Sequence, residues 1–153
     1  MATPSDLHKK QGILCAENNI PTLIEKPLAT TIIDAKTLVT AGEKTGTPII
    51  SGHYRRFNNQ VETARDILQS GKIGQLIGVS AIWAMKKHDE YYNVDWRIQE
   101  GGGPILTNLI HDIDCLRWIC GDIDTVTAHV SNEIRDFKVE DSAAVTLRFT
   151  SGA

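Results

Sequence analysis

The chain has 153 residues and a mass of 16.9 kDa, with 16 Lys and Arg against 19 Asp and Glu and a net charge of −3. Its 41% hydrophobic and 23% charged residues are the mix of a folded domain, which excludes a disordered tail, a collagen and a coiled-coil rod. The mild acidity argues against a nucleic-acid binder, and no apolar run reaches the roughly 20 residues of a bilayer span, so neither nucleic acid nor membrane is an expected partner.

Met1-Ala2-Thr3-Pro4-Ser5-Asp6 has neither the basic nor the apolar stretch of a secretory leader. Cys15, Cys115 and Cys120 are odd in number and match no zinc spacing. They read as small buried hydrophobes in a reducing, cytoplasmic setting, and no metal site is expected.

Residues 5–19 read as a helix, with Ser5 as its cap and Leu7, Ile13, Leu14 and Ala16 on its apolar side. Asn18-Asn19 breaks it. Ile20-Pro21-Thr22-Leu23-Ile24 reads as a short buried strand ended by Glu25-Lys26-Pro27. Thr30 or Thr31 caps a second helix, 31–45, with Ile32, Ala35, Leu38, Val39 and Ala41 at helical period; Gly46 and Thr47-Pro48 end it. Pro48-Ile49-Ile50-Ser51-Gly52 is another short buried strand. Helix, strand, helix, strand with short turns is the signature of parallel βα units.

The character changes after His53. Asn58 to Gln69 is an amphipathic helix, with Val61, Ala64, Ile67 and Leu68 on one side. Leu76 to Lys87 is a long β-type run, and His88 to Gly103 a polar, aromatic and glycine-rich loop. Pro104 leads a helix to Cys120, stopped by Gly121. Ile123 to Asn132 and Ser142 to Thr150 alternate as antiparallel strands do, with Asp136-Phe137-Lys138 in the loop between them. The expected fold is therefore α/β followed by α+β. Residues 1–53 form the C-terminal part of a Rossmann-like parallel sheet, and 54–153 the start of an antiparallel open-sheet domain for substrate binding and oligomerisation. Both ends read as cut, since two parallel strands are few for a doubly wound domain and Ser151-Gly152-Ala153 stops directly after a strand. Three antiparallel strands leave an open edge and a bare face, from which self-association is expected.

Three constellations carry chemistry. Glu25-Lys26-Pro27 follows the C-terminal end of a parallel strand, where ligands collect in open α/β sheets. A Lys there donates to a hydroxyl or carbonyl, and a cis Pro27 would fix its direction; a solvated Glu-Lys turn accounts for the same residues. On the 104–120 helix, Leu106, Leu109, Ile110, Ile113, Leu116 and Cys120 form an apolar stripe, with Thr107, His111, Asp114 and Trp118 beside it. A histidine next to a carboxylate works as acid or base near neutral pH, or is a structural partner of Asp114. In Asp95-Trp96-Arg97 and Gly101-Gly102-Gly103, Arg97 can clamp an anion or a planar group and Trp96 can stack on one. Tyr54-Arg55-Arg56-Phe57 is ambiguous, its arginines being candidates for bridging domains.

The stretches Ala2-Thr3-Pro4-Ser5-Asp6-Leu7-His8, Glu25-Lys26-Pro27-Leu28-Ala29-Thr30, Gly52-His53-Tyr54-Arg55-Arg56-Phe57, Gly101-Gly102-Gly103-Pro104 through His111-Asp112-Ile113-Asp114, and Val139-Glu140-Asp141-Ser142-Ala143-Ala144 stand in a specific order. In that order and spacing the chain resembles the glucose-fructose oxidoreductase/inositol dehydrogenase/rhizopine catabolism (Gfo/Idh/MocA) family. The resemblance implies hydride transfer between NAD or NADP and a carbon of a small-molecule sugar or polyol. It implies Lys26 and His111 as catalytic residues, His111 being the proton acceptor. It places Thr3, Pro4, His8, Glu25, Lys26, Pro27, Trp96 and Arg97 at the cofactor, and Lys26, Tyr54, Arg55, Thr107, Asn108 and His111 at the substrate. Thr107 stands where the family commonly has an aspartate four residues before the histidine, so Asn108 or Asp114 is left to share its role. No Gly-x-Gly-x-x-Gly turn for the pyrophosphate occurs in these residues. The chain as given is then expected to be inactive alone, or to be a non-catalytic oligomerising or sugar-binding remnant.

Overall fold

A computed structural model describes all 153 residues. The chain folds as two compact units, Met1–His53 and Tyr54–Ala153.

In the first unit a 3-10 turn, Ser5–Leu7, runs into α1 (His8–Glu17). Ser5 does not cap the helix as expected. It lies inside the 3-10 turn, which starts at Pro4 with Leu7 N–H donating to Pro4 O at 3.0 Å. α1 ends at Asn18-Asn19, Asn19 taking φ 57°. β1 (Thr22–Ile24) pairs in parallel with β2 (Ile49–Ser51), Thr22 opposite Ile49 and Ile24 opposite Ser51. Between them runs α2 (Ile32–Thr45), whose cap is Thr31: its hydroxyl accepts from Asp34 N–H at 3.1 Å. Gly46 closes α2 in the left-handed region at φ 69°. The strands are shorter and less buried than their apolar runs suggest. Ile24 is fully buried, but its neighbour Leu23 is 57% exposed. Ala16 of α1, Ile24 of β1 and Leu38 of α2 form the core, and the Thr47 hydroxyl ties in by donating to Ala16 O at 3.1 Å.

In the second unit a 3-10 turn, Tyr54–Phe57, precedes α3 (Asn59–Gln69), capped by the Asn58 side chain, which accepts from Gln60 N–H at 2.8 Å. The expected 104–120 helix is two pieces. A π turn, Ile105–Leu109, leads into α4 (Ile110–Cys120), with Ile110 N–H reaching back to Ile105 O. β3 (Ile123–Ser131) and β4 (Ser142–Phe149) form an antiparallel pair, with Val126 opposite Leu147 and Ala128 opposite Val145. The alternation expected in β4 holds, since Val145, Leu147 and Phe149 lie on the more buried side and Phe149 is 3% exposed.

The third antiparallel strand, expected at 76–87, does not form, and the sheet has two strands. Residues 75–88 take no regular structure, and Ile77 and Ile82 are each 91% exposed. Their composition favours a strand, but a strand exists only by pairing and by burying a face, and propensity without those two terms is weak. Residues 78–85, the α4 side and β4 instead border a groove of about 610 Å³. The architecture is thus a short parallel sheet in one unit and an antiparallel pair in the other, a mixed α/β chain as the element order predicts. No helix is long and apolar enough to cross a membrane.

Candidate active site

The first unit gathers Thr3, His8 and Pro27. His8 opens α1 and is 1% exposed; its Nδ1 lies 2.9 Å from Pro27 O and its Nε2 3.0 Å from Thr3 O. The ring thus joins the start of the chain to the turn that leaves the carboxyl end of β1. Thr3 is tied further by its hydroxyl, which donates to Gln11 Oε1 at 2.8 Å. Pro4 is exposed at the start of the 3-10 turn. In the turn itself the Lys26-Pro27 peptide is cis, Pro27 is buried and Lys26 half-buried. Glu25 is exposed, its N–H donating to Met1 O at 2.9 Å and its carboxylate accepting from Lys26 N–H at 3.3 Å. Lys26 therefore projects from a strand end braced on both sides by fixed backbone, the place where an open α/β sheet binds its ligand.

In the second unit His111 lies one residue into α4 and is 7% exposed. The Tyr54 ring meets it edge-on, with centroids 5.3 Å apart and planes at 70°. One turn on, Asp114, also 7% exposed, receives both nitrogens of the Arg56 fork, Nε at 2.7 Å and Nη2 at 2.5 Å. Arg55 donates to Asp112 Oδ1 at 2.9 Å. The two arginines, candidates for bridging domains, thus each pair with an α4 carboxylate of their own unit. Asp114 holds the Arg56 guanidinium above its ordinary value, burial partly opposing it. Arg56 and Arg65 both lie over the Trp118 ring, at 4.9 and 3.7 Å from its centroid. Cys115, between these groups, has its thiol pushed up by burial and then by the Asp114 charge; burial raises Cys120 as well. Cys15, Cys115 and Cys120 are free and half-buried, less enclosed than expected.

The start of the His111 segment is fixed from two sides. The Glu140 carboxylate, from the β3–β4 loop, accepts from Ile105 N–H at 2.8 Å, a cap supplied from 35 residues away. A Cβ on Gly103 would run into that carboxylate, and one on Gly102 into Trp96 O and, at 2.8 Å, Arg97 Cα. These two glycines are the price of close backbone approach. Thr107 donates to Gly103 O at 2.9 Å and accepts from Asn108 Nδ2 at 2.9 Å, so a hydroxyl and an amide occupy the turn before His111. Arg97 donates to Tyr91 O at 2.8 Å with its guanidinium 4.0 Å from that ring's centroid, and Trp96 is 44% exposed. The Arg56–Asp114 pair and the Glu140 cap were not foreseen. The motif spacing brought their residues into view, but which partner each would take is a tertiary fact.

Residues 61–153 match the family model of the GFO/IDH/MocA C-terminal domain, and residues 1–53 the model described as the oxidoreductase family, NAD-binding Rossmann fold. The chain belongs to the Gfo/Idh/MocA family. Among its curated relatives, 2,7-anhydro-N-acetylneuraminate hydratase of Escherichia coli is 31% identical over 99% of this chain and 42% of its own length. 1,5-anhydro-D-fructose reductase of Ensifer adhaerens is 30% identical over 99% of this chain and 46% of its own. The crystal structure of the WlbA dehydrogenase of Bordetella pertussis, in complex with NADH and UDP-GlcNAcA, superposes with a TM-score of 0.89 at 29% identity, covering 100% of this chain and 45% of that one. The chain therefore spans less than half the length of the relatives it matches.

The residues present fit one end of the family's cofactor. A half-buried ammonium beside a braced turn at the carboxyl end of β1 suits the hydroxyls of a nicotinamide ribose. The pyrophosphate end calls for a glycine-rich turn at a helix N-terminus, and no such turn occurs among these 153 residues.

Proposed function

We propose that this chain carries the reacting half of an NAD(P)-dependent oxidoreductase acting on a hydroxyl carbon of a sugar or polyol. The observation that carries the reading is His111, buried at the head of α4 with Tyr54 on its ring and the Arg56–Asp114 pair one turn behind it. An imidazole so placed would accept the hydroxyl proton, and a bound nicotinamide would supply the hydride acceptor. Lys26 is the donor to the nicotinamide ribose and to a substrate hydroxyl, holding an oxygen as its charge develops. Glu25, Pro27, His8, Thr3 and Pro4 shape the cofactor side, with Trp96 and Arg97 at the nicotinamide end. Tyr54, Arg55, Thr107 and Asn108 contact the substrate. Thr107, a neutral hydroxyl, lacks the basicity to accept the proton, so proton transfer falls to His111.

The test is turnover in a chain that carries these residues together with a glycine-rich phosphate turn, assayed with NAD+ and NADP+ against a panel of sugars and polyols. Lys26→Ala and His111→Ala should each lower kcat by about 10²–10⁴-fold with folding intact. Near-normal turnover in His111→Ala would move the base elsewhere, to Asp114 first.

We further infer that the second unit pairs with a second copy of itself. The outer edges of β3 and β4 carry no partner strand, Val126 and Val130 are each 60% exposed, and Ile77 and Ile82 of the unpaired run are each 91% exposed. Light scattering at micromolar concentration should give at least twice 16.9 kDa; the mass of one chain would refute it.

A further inference from the structure

Two acidic side chains follow His111 on α4, Asp112 beside it and Asp114 one turn on. Both are answered from one place. The 3-10 turn Tyr54–Phe57 sends Arg55 to Asp112 and Arg56 to Asp114, while Tyr54 of the same turn meets the imidazole. The two pairs are not equivalent. Residues three apart on a helix share a face, with Cβ atoms about 5–6 Å apart, whereas adjacent residues point away from each other. Asp114 therefore lies on the His111 face and Asp112 does not. Asp114 is also the more enclosed carboxylate, its side chain 8% exposed against 29% for Asp112, so solvent screens it less. Arg56 answers it with both arms of its fork, Nε on Oδ2 at 2.7 Å and Nη2 on Oδ1 at 2.5 Å. The Trp118 ring carries that guanidinium on its face and the Arg65 guanidinium of α3 as well. The other charges of these elements face water: Glu62 and Asp66 of α3 are exposed, and so is Arg117 of α4, which pairs with Asp122. The Cys115 thiol, pushed up by burial, carries no charge near neutral pH. A carboxylate at this spacing without a counter-charge favours the imidazolium by about 1–3 pH units. An imidazolium has no lone pair with which to accept a proton.

We propose that Arg56 is a positioning residue for His111: its charge balances Asp114, so that the imidazole stands neutral and ready to accept a proton near pH 7. The inference rests on the reading of His111 as the base. Arg56 touches neither the ring nor the reacting atoms. It acts by its field on His111, and the bidentate fork and the Trp118 face hold that field in place. The sign follows from the two charges. The Asp114 carboxylate draws a proton onto the imidazole, the guanidinium repels one, and with both present the ring titrates as though neither were there.

The experiment labels the histidines of the 153-residue chain with 13C and follows the His111 ring signal, identified by its loss in His111→Gln, against pH at constant ionic strength. Arg56→Gln should raise the protonation midpoint by at least about 1 pH unit, a tenfold gain in proton affinity. Arg56→Lys keeps the charge and should stay close to the unaltered chain. Asp114→Asn should lower the midpoint by a similar amount, and the double variant, which removes both charges, should return to within about 0.5 unit of the unaltered chain. Shifts of the same sign in the two single variants would show that only packing changed. That result, an unmoved midpoint in Arg56→Gln, a rise in Arg56→Lys as large as in Arg56→Gln, or a double variant that does not return would each overturn the assignment. Asp114→Asn and the double variant leave no buried carboxylate without its partner, so they decide the matter even where Arg56→Gln fails to fold. The readout is a proton equilibrium. Unmoved midpoints would remove the role of Arg56 and leave His111 as the base, whereas failure of hydride transfer would leave the measured shifts intact.

Discussion

His8 shows how a single side chain serves a site it need not touch. Its ring is 1% exposed and lies between two carbonyl oxygens, Thr3 O and Pro27 O. Replacing it removes the ring N–H that one of these oxygens accepts and opens a void beside the Lys26 turn. His8→Ala should therefore destabilise the fold by about 2–4 kcal/mol, the sum of a cavity and a lost hydrogen bond. Denaturant unfolding measures this, and a loss under about 1 kcal/mol would mean that water replaces the ring. The sequence marks His8 by its motif, but the motif points to the cofactor, whereas the bonds run to backbone of its own unit. A residue's place in a pattern says that it matters; only its neighbours say how.

At the scale of elements, the helix that carries His111 is set by its entry. Glu140→Ala removes the acceptor of Ile105 N–H and should cost about 1 kcal/mol, in the range of a lost cap. Gly103→Ala should cost a similar amount, because the added methyl displaces a flexible carboxylate. Gly102→Ala should cost more, because it meets the backbone of Trp96 and Arg97, which cannot turn aside. Thermal melts of the three variants check the order, and equal shifts for Gly102→Ala and Gly103→Ala would contradict it. Elements with local signals were legible in the sequence: Thr31 and Gly46 bound α2 as their capping chemistry dictates. Two features were not. The π turn at 105–109 leaves the apolar spacing helical and changes only the hydrogen-bond ladder, which composition does not record. The run 76–87 has strand composition, but pairing is a property of two segments, so no inspection of one alone could show its absence.

For the molecule as a whole, the proposed site puts one end of a dinucleotide on the first unit, and these residues lack the glycine-rich amides that bind a diphosphate. Calorimetric titration with NADH and NADPH should therefore show weak or undetectable binding to these 153 residues, and low-micromolar affinity would show that the amides are dispensable. The family and the order of elements were legible because short motifs recur across nearly the whole chain. The fork of Arg56 on Asp114 was not, because the two stand 58 residues apart and no periodicity encodes their meeting.

The run between Gly74 and Asp89 has one more consequence. Proteases clasp extended backbone as an added strand, and they act where a chain offers such backbone outside any ladder. Lys86 is exposed within that run and neighbours Lys87. Brief trypsin digestion should nick the chain there first, leaving an N-terminal piece that ends at Lys86 or Lys87 while the lysines of α1 and α2 survive. If two copies join through this run, the nick should slow as concentration rises, so a digestion time course would report the docking of one chain on another.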